Sequence, residues 1–205
     1  IVFRRVVADL ETPIGAYLKL SEGPQNTFLL ESVQDGATRG RYSMIGFDPD
    51  IILKVVAGKA SINRNVARDA DAFEAVSQPP LDVLRALVAE SQADIPAGLP
   101  STAAGIYGYL GYEMVRLMER LPDRHDRGLD LPDALLMRPT MLAVFDTVKD
   151  ELYLTAPVYP RAGVTPRQAW EGAQGKIDDA VARLGRTLPY VGVPPDMDKI
   201  AITSN

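Results

Sequence analysis

The sequence predicts an α+β fold in which mostly antiparallel sheet is packed with helices. Three observations carry this expectation. Runs rich in β-branched and aromatic residues outnumber helical stretches. Neighbouring runs are joined by short turns rather than by helical crossovers, and two Thr-Pro pairs mark helix starts.

Residues 1–8, Ile-Val-Phe-Arg-Arg-Val-Val-Ala, read as a strand. Thr12-Pro13 has the form of an N-cap followed by proline at the first helical position, which predicts a short helix over Pro13–Leu20. Strands are expected at Thr27–Ser32, Tyr42–Phe47, Asp50–Val56 and Ala60–Asn63, with Gly58-Lys59 turning the last two into a hairpin. Residues 64–79 are polar and show no clear period. Leu81, Leu84, Leu87 and Val88 fall at helical spacing and predict a helix over Pro80–Gln92.

Pro96, Gly98 and Pro100 mark a loop, followed by a strand at Ala103–Tyr109 and a helix at Tyr112–Arg120. A charged loop spans Leu121–Pro132. Strands follow at Ala134–Met137, Thr140–Thr147 and Leu152–Pro157, the last two joined by a turn at Val148-Lys149-Asp150. Thr165-Pro166 repeats the cap signature. Ala169, Trp170, Ala173, Ile177, Val181 and Leu184 then form one apolar stripe on a helix ending at Gly185. Residues 1–188 are expected to form one domain. Residues 189–205, with three prolines, are expected to be a connector toward a further part of the protein.

Composition narrows the function. The chain has 205 residues, 46% apolar and 24% charged, which suits a globular domain with a sizeable core. A net charge of −5 without any Lys/Arg block argues against nucleic acid as a partner. The absence of cysteine excludes disulfides, Cys-ligated zinc and a cysteine nucleophile, and fits a cytoplasmic location. No apolar run reaches the roughly 18–20 residues of a membrane span. The N-terminus lacks both an initiator Met and the order of a signal peptide, so the chain reads as a trimmed or partial one.

No catalytic constellation is visible. The single histidine, His125, sits in Asp-Arg-His-Asp-Arg-Gly and reads as a solvated loop residue. Asp123, Asp126, Asp130 and Asp133 alternate with arginines and read as a solvated charge run rather than a magnesium site. Gly105, Gly108 and Gly111 lie between a strand and a helix but lack nucleotide-loop spacing. They read as positions of close backbone packing.

Residues 28–46 are the most informative. Two apolar runs, Phe28–Ser32 and Tyr42–Gly46, flank a polar loop. Glu31 and Ser32 stand at one end of it, and Arg39 and Arg41 at the other. An acid, a hydroxyl and a guanidinium gathered at one loop suit a zwitterionic ligand such as an amino acid. The same Leu-Leu-Glu-Ser stretch also reads as an amphipathic strand with an exposed acid. Adjacent strand residues point to opposite faces. Glu31 and Ser32 can therefore act together only if the strand ends or bulges at Ser32, or if one of them contacts a ligand through its backbone.

Taken in order, several segments resemble the N-terminal region of anthranilate synthase component I. They are Ala8–Leu20, Leu29-Leu30-Glu31-Ser32, Gly40-Arg41-Tyr42-Ser43-Met44-Ile45-Gly46, Gly105–Glu113 with Val115-Arg116 and Glu119-Arg120-Leu121-Pro122, and Val144-Phe145-Asp146. The resemblance implies the N-terminal half of the chorismate-utilising enzyme fold. It implies a carbon–oxygen lyase that turns chorismate and ammonia into anthranilate and pyruvate, with Mg²⁺ at the chorismate site. Glutamine-derived ammonia would come from an amidotransferase partner, component II, and L-tryptophan would inhibit the enzyme by feedback.

The family's catalytic residues and Mg²⁺ ligands belong to a chorismate-binding domain that would follow Asn205, so the fragment itself is expected to be inactive. Carried over residue by residue, Leu30, Glu31 and Ser32 line the tryptophan site, and Arg41 corresponds to a basic residue of the same site. Two other readings stand beside this one. One is 4-amino-4-deoxychorismate synthase component I of the folate pathway. The other is a non-enzymatic ligand-binding or subunit-docking module.

Overall fold

The computed structural model describes residues 1–21, 26–34, 38–122 and 131–188. His125, Asp123, Asp126, Asp130, the loop tip at 35–37 and the connector at 189–205 lie outside the described residues. Among those described, eight strands form one antiparallel sheet: β1 (Val2–Val7), β2 (Phe28–Gln34), β3 (Thr38–Val56), β4 (Lys59–Asn63), β5 (Glu74–Ala75), β6 (Tyr107–Leu110), β7 (Ala134–Asp146) and β8 (Glu151–Ala156). The main path runs β1-β8-β7-β3-β4-β5, with β2 paired to β3 and β6 paired to β7. The same residues include three α-helices: α1 (Pro13–Leu20), α2 (Pro80–Glu90) and α3 (Pro166–Leu184). The α+β class with antiparallel sheet holds.

The helix starts follow from their caps. Thr12 Oγ1 accepts from Gly15 N at 3.0 Å ahead of Pro13. Thr165 and Gln168 form a reciprocal capping box, and Pro166 takes the first helical position of α3. The apolar stripe of α3 then packs Ala173, Ile177, Ala180 and Leu184 onto the sheet. Ile45, Phe47, Met141, Ala143, Phe145, Leu152 and Leu154 meet it there, with Ala16 and Leu20 of α1. Period-2 alternation sends Leu142, Val144 and Tyr153 to the opposite face, where they pack with Phe28, Met44 and Tyr107. A third group joins α2 to β4 and the distal half of β3 through Leu87, Val83, Ile51, Leu53 and Ile62.

Two expected strand pairs prove to be single long strands. Tyr42–Phe47 and Asp50–Val56 are continuous in β3, and Ala134–Met137 and Thr140–Thr147 are continuous in β7. Pro49 and Pro139 sit opposite each other where the expected pieces meet, so neither has to donate to a central ladder. The register shifts between Pro49 and Ile51, making Asp50 the extra residue of a bulge, and Asp48 before it takes φ +50°.

The bulge turns Asp50 toward Arg138, whose Nε and Nη2 donate to its two carboxylate oxygens at 2.8 and 2.9 Å. Arg161 Nη2 donates to the same carboxylate at 2.7 Å. Arg138 also lies over the Tyr159 ring at 4.1 Å and donates to Ser91 Oγ at 3.3 Å. This buried knot ties β3, β7, the segment after β8 and the end of α2 together.

The expected helix at Tyr112–Arg120 is instead a short 3₁₀ turn, Tyr112–Leu117, held by i→i+3 bonds such as Met114 N to Gly111 O at 3.1 Å. It has no side-chain N-cap, and Gly111 N is already committed to Asp133 O at 2.7 Å. Strand β5, two exposed residues long, carries no pattern that a sequence reading could find.

Gly108 and Gly111 pack against backbone as expected, whereas a Cβ on Gly105 would meet only the Tyr107 side chain, at 3.7 Å. A Cβ on Gly108 would lie 2.0 Å from Leu135 O, and its φ of +148° disfavours other residues. Gly108→Ala should therefore lower stability by more than about 2 kcal/mol by forcing β6 off β7. A urea midpoint equal to that of the parent chain would contradict this.

Candidate functional site

The site expected at 28–46 is built on the β2–β3 pair. Register runs Phe28↔Gly46, Leu29↔Ile45, Leu30↔Met44 and Glu31↔Ser43, then slips to Val33↔Arg39. Three residues of β3, Gly40, Arg41 and Tyr42, thus stand opposite Ser32 alone. The irregularity lies at Ser32, one of the two possibilities that alternation left open, and the extra residues belong to β3.

Paired residues share a face, which sorts the candidate side chains. Glu31 lies on the face of Leu29, Ser43 and Ile45, the face that α1 and α3 cover further along. Leu30 lies on the opposite face with Phe28 and Met44. Alternation puts Ser32 on this second face as well. Its Oγ and Cβ lie 2.1 and 2.3 Å from where a Gly40 Cβ would be, so the residue at 40 must be glycine for Ser32 to sit there. Gly46 has the same relation to Phe28, whose ring fills the space of the missing Cβ and stacks on Tyr107 with centroids 5.0 Å apart. Leu30, Glu31, Ser32 and Arg41 are all exposed.

Arg41 has a partner that the sequence reading did not supply. Its Nε and Nη2 donate to Asp146 Oδ1 and Oδ2 at 3.0 and 2.8 Å, a two-pronged fork onto a carboxylate only 2% exposed. The guanidinium also lies 4.9 Å from the Tyr42 ring centroid. The turn after β7 clamps the same bulge: Thr147 N and Oγ1 donate to Arg41 O at 2.9 and 3.0 Å. Val148 N donates to Asp146 Oδ1 at 3.2 Å. The Arg41 hydrogen bonds hold the Asp146 carboxyl below the usual carboxylate range, against the opposing effect of burial, and the Val148 N–H adds to them. Among the described residues, Nη1 of Arg41 keeps its donors for another acceptor. The side chain of Arg39 lies outside the described atoms.

The structure therefore gathers Leu30, Ser32 and Arg41 around one bulge and sets the Glu31 side chain on the other face. Asp146 is the residue that sequence reasoning missed. It lies in the Val-Phe-Asp segment, but nothing local couples it to a residue 105 positions away.

Among the described residues no group of three His, Asp or Glu side chains could hold a metal ion. No helix of the described residues is long and apolar enough to cross a membrane.

A curated anthranilate synthase component 1 from Cereibacter sphaeroides is 46% identical over 189 residues, which is 92% of this chain and 38% of that protein. By sequence, the chain is a homologue of anthranilate synthase component 1. The Thermus thermophilus protein of the same name is 36% identical over 188 residues, covering 92% of the chain and 36% of its own length. The chain thus spans well under half the length of these relatives. A solved anthranilate synthase component I from Streptococcus pneumoniae covers 91% of the chain and 38% of its own, with a TM-score of 0.58 and 21% identity. That last likeness is one of fold. No family model matches the chain.

Proposed function

We propose that this chain is the N-terminal, tryptophan-binding regulatory part of an anthranilate synthase component I. The full-length enzyme would take chorismate and glutamine-derived ammonia to anthranilate and pyruvate, the first step of tryptophan synthesis. The observation that carries the reading is the 46% identity across 92% of the chain against only 38% of the relative. In this reading the remaining length holds the chorismate site and its Mg²⁺, component II delivers ammonia, and the enzyme works in the cytoplasm.

Tryptophan would lie against the exposed face of the β2–β3 bulge. Leu30 supplies an apolar wall, Ser32 a hydroxyl, and Arg41 its unused nitrogen for the ligand carboxylate. Glu31, facing the other way, contributes through its main chain. What supports this arrangement is the slip in register at Ser32 and the Asp146 fork, which fixes Arg41 beside it. The rest of the pocket would come from the part of the protein beyond this chain. Ligand bound between the two parts would favour an arrangement poor for chorismate chemistry, and chorismate would weaken tryptophan binding by the same factor.

The experiment is a comparison of the 205-residue chain with the full-length protein, each given chorismate, ammonium and Mg²⁺ while anthranilate fluorescence is followed. The full-length protein should produce anthranilate, inhibited by tryptophan, and the chain alone should produce none. Turnover by the chain alone, or a different aromatic product from the full-length protein, would overturn the reading.

A further inference from the structure

A cavity lies apart from the β2–β3 bulge, with none of the bulge residues in its lining. It opens between α3 and the Asp50 bulge of β3 and has a volume of about 210 Å³. Helical spacing brings Ala169, Gly172, Ala173 and Lys176 of α3 to one wall. The segment after β8 supplies the other, with Ala156, Val158 and Arg161. Small apolar side chains thus line a space with two cations at its edge.

Those cations differ from the others nearby. The Asp50 carboxylate also lines the cavity, but three hydrogen bonds from Arg138 and Arg161 already engage it. Arg64 and Glu90 neutralise each other in a separate fork at 2.8 and 3.0 Å. Lys176 has no carboxylate within ion-pair distance among the described residues. Its one hydrogen-bond acceptor there is Thr140 Oγ1, a neutral group that itself donates to Asp48 O at 2.6 Å. Burial pushes the Lys176 ammonium down and nearby Arg161 adds to this, while Asp48 and Asp50 oppose it from a distance. An ammonium in such surroundings gains from a bound anion. Arg161 spends one nitrogen on Asp50, leaving its other donors available among the described residues. Beneath them, the Tyr159 hydroxyl is buried without a partner among the described residues, although its ring lines the cavity.

We propose that this cavity binds a small organic monocarboxylate, its carboxylate held by Lys176 and Arg161 and its apolar body resting on Ala156, Val158 and Ala169. The class follows from the lining. Two cations select one anionic group, apolar walls select an uncharged body, and the volume admits a single ring or a short branched chain. The site is separate from the proposed tryptophan site and does not depend on it.

Sodium benzoate serves as the probe, with benzyl alcohol as its neutral counterpart, titrated into the ¹⁵N-labelled chain and followed by amide chemical shifts. Benzoate should give saturable shifts at Ala169, Gly172, Ala173 and Lys176 with a Kd on the order of 1 mM, as befits so small a ligand. Lys176→Met should weaken binding at least about tenfold by removing a charge-assisted contact. Gly172→Leu gives an independent test. A Cβ there meets nothing within 4 Å, so leucine can project toward the cavity, and it favours the helix over glycine. This variant should stay folded and lose the benzoate shifts. Absence of saturation up to about 20 mM, equal binding of benzyl alcohol, or unchanged binding in folded Gly172→Leu would overturn the proposal.

Discussion

In the full-length enzyme, Ser32→Phe should raise the tryptophan concentration for half-inhibition at least about tenfold, equivalent to about 1.4 kcal/mol of lost binding. Uninhibited turnover should stay within about twofold, because Ser32 touches no reacting group in the proposed arrangement. Ser32 packs against the Cα side of Gly40, so a phenyl ring cannot turn that way. It must project outward over the face that carries Leu30 and Tyr42, the space assigned to the ligand. The site is exposed, so the substitution fills a binding surface rather than a core, and the fold should tolerate it.

Glu31→Ala is the internal control. The side chain lies on the opposite face, so its removal should change half-inhibition by less than about threefold. Tryptophan inhibition curves read by anthranilate fluorescence distinguish the two. Inhibition unchanged in folded Ser32→Phe would remove the site from this bulge. A Glu31→Ala effect as large as that of Ser32→Phe would show that the carboxylate reaches the ligand after all.

How far the sequence reaches is clearest where local and distant causes separate. Helices α1 and α3 were legible because Thr12-Pro13 and Thr165-Pro166 are complete start signals within four residues, and the α3 stripe needs only its own period. The glycines at 108 and 111 read correctly as close-packing positions for the same reason. Strands β3 and β7 were each expected as two separate pieces. Only their pairing shows that Pro49 and Pro139 lie opposite each other beside a bulge, and pairing is a relation between segments that no window along the chain contains.

The candidate site divides in the same way. Strand alternation left an irregularity at Ser32 as one of two possibilities, and the register slips there. The identity of the residue holding Arg41 was not legible, because Asp146 comes from the far end of β7. The Asp50–Arg138 pair, 88 positions apart, was invisible on the same ground.

That pair carries the largest stability effect expected in the molecule. Arg138→Met should destabilise the chain by about 3 kcal/mol, lowering Tm by roughly 10 °C. Met keeps the bulk over Tyr159 but leaves Asp50, only 11% exposed, with Arg161 as its one remaining ion-pair partner among the described residues. The cost therefore comes mainly from a buried carboxylate that has lost two hydrogen bonds. The double variant Asp50→Asn/Arg138→Met should recover much of it, since no buried charge is then left unpaired.

Acid pH gives a second reading of the same interaction. Burial raises the Asp50 pKa, but the Arg138 hydrogen bonds and charge, with those of Arg161, outweigh it and hold the carboxyl below the usual carboxylate range. A carboxyl depressed in the folded state contributes stability that is present above its unfolded value and lost as pH falls through its folded one. Below about pH 4 the unfolded chain takes up this proton first, so stability drops as pH falls. In Arg138→Met that acid-side slope should flatten. Chemical denaturation of the parent and both variants from neutral pH into this range measures the two effects together. A single variant as stable as the parent, or a double variant less stable than Arg138→Met alone, would show that Asp50 does not depend on Arg138.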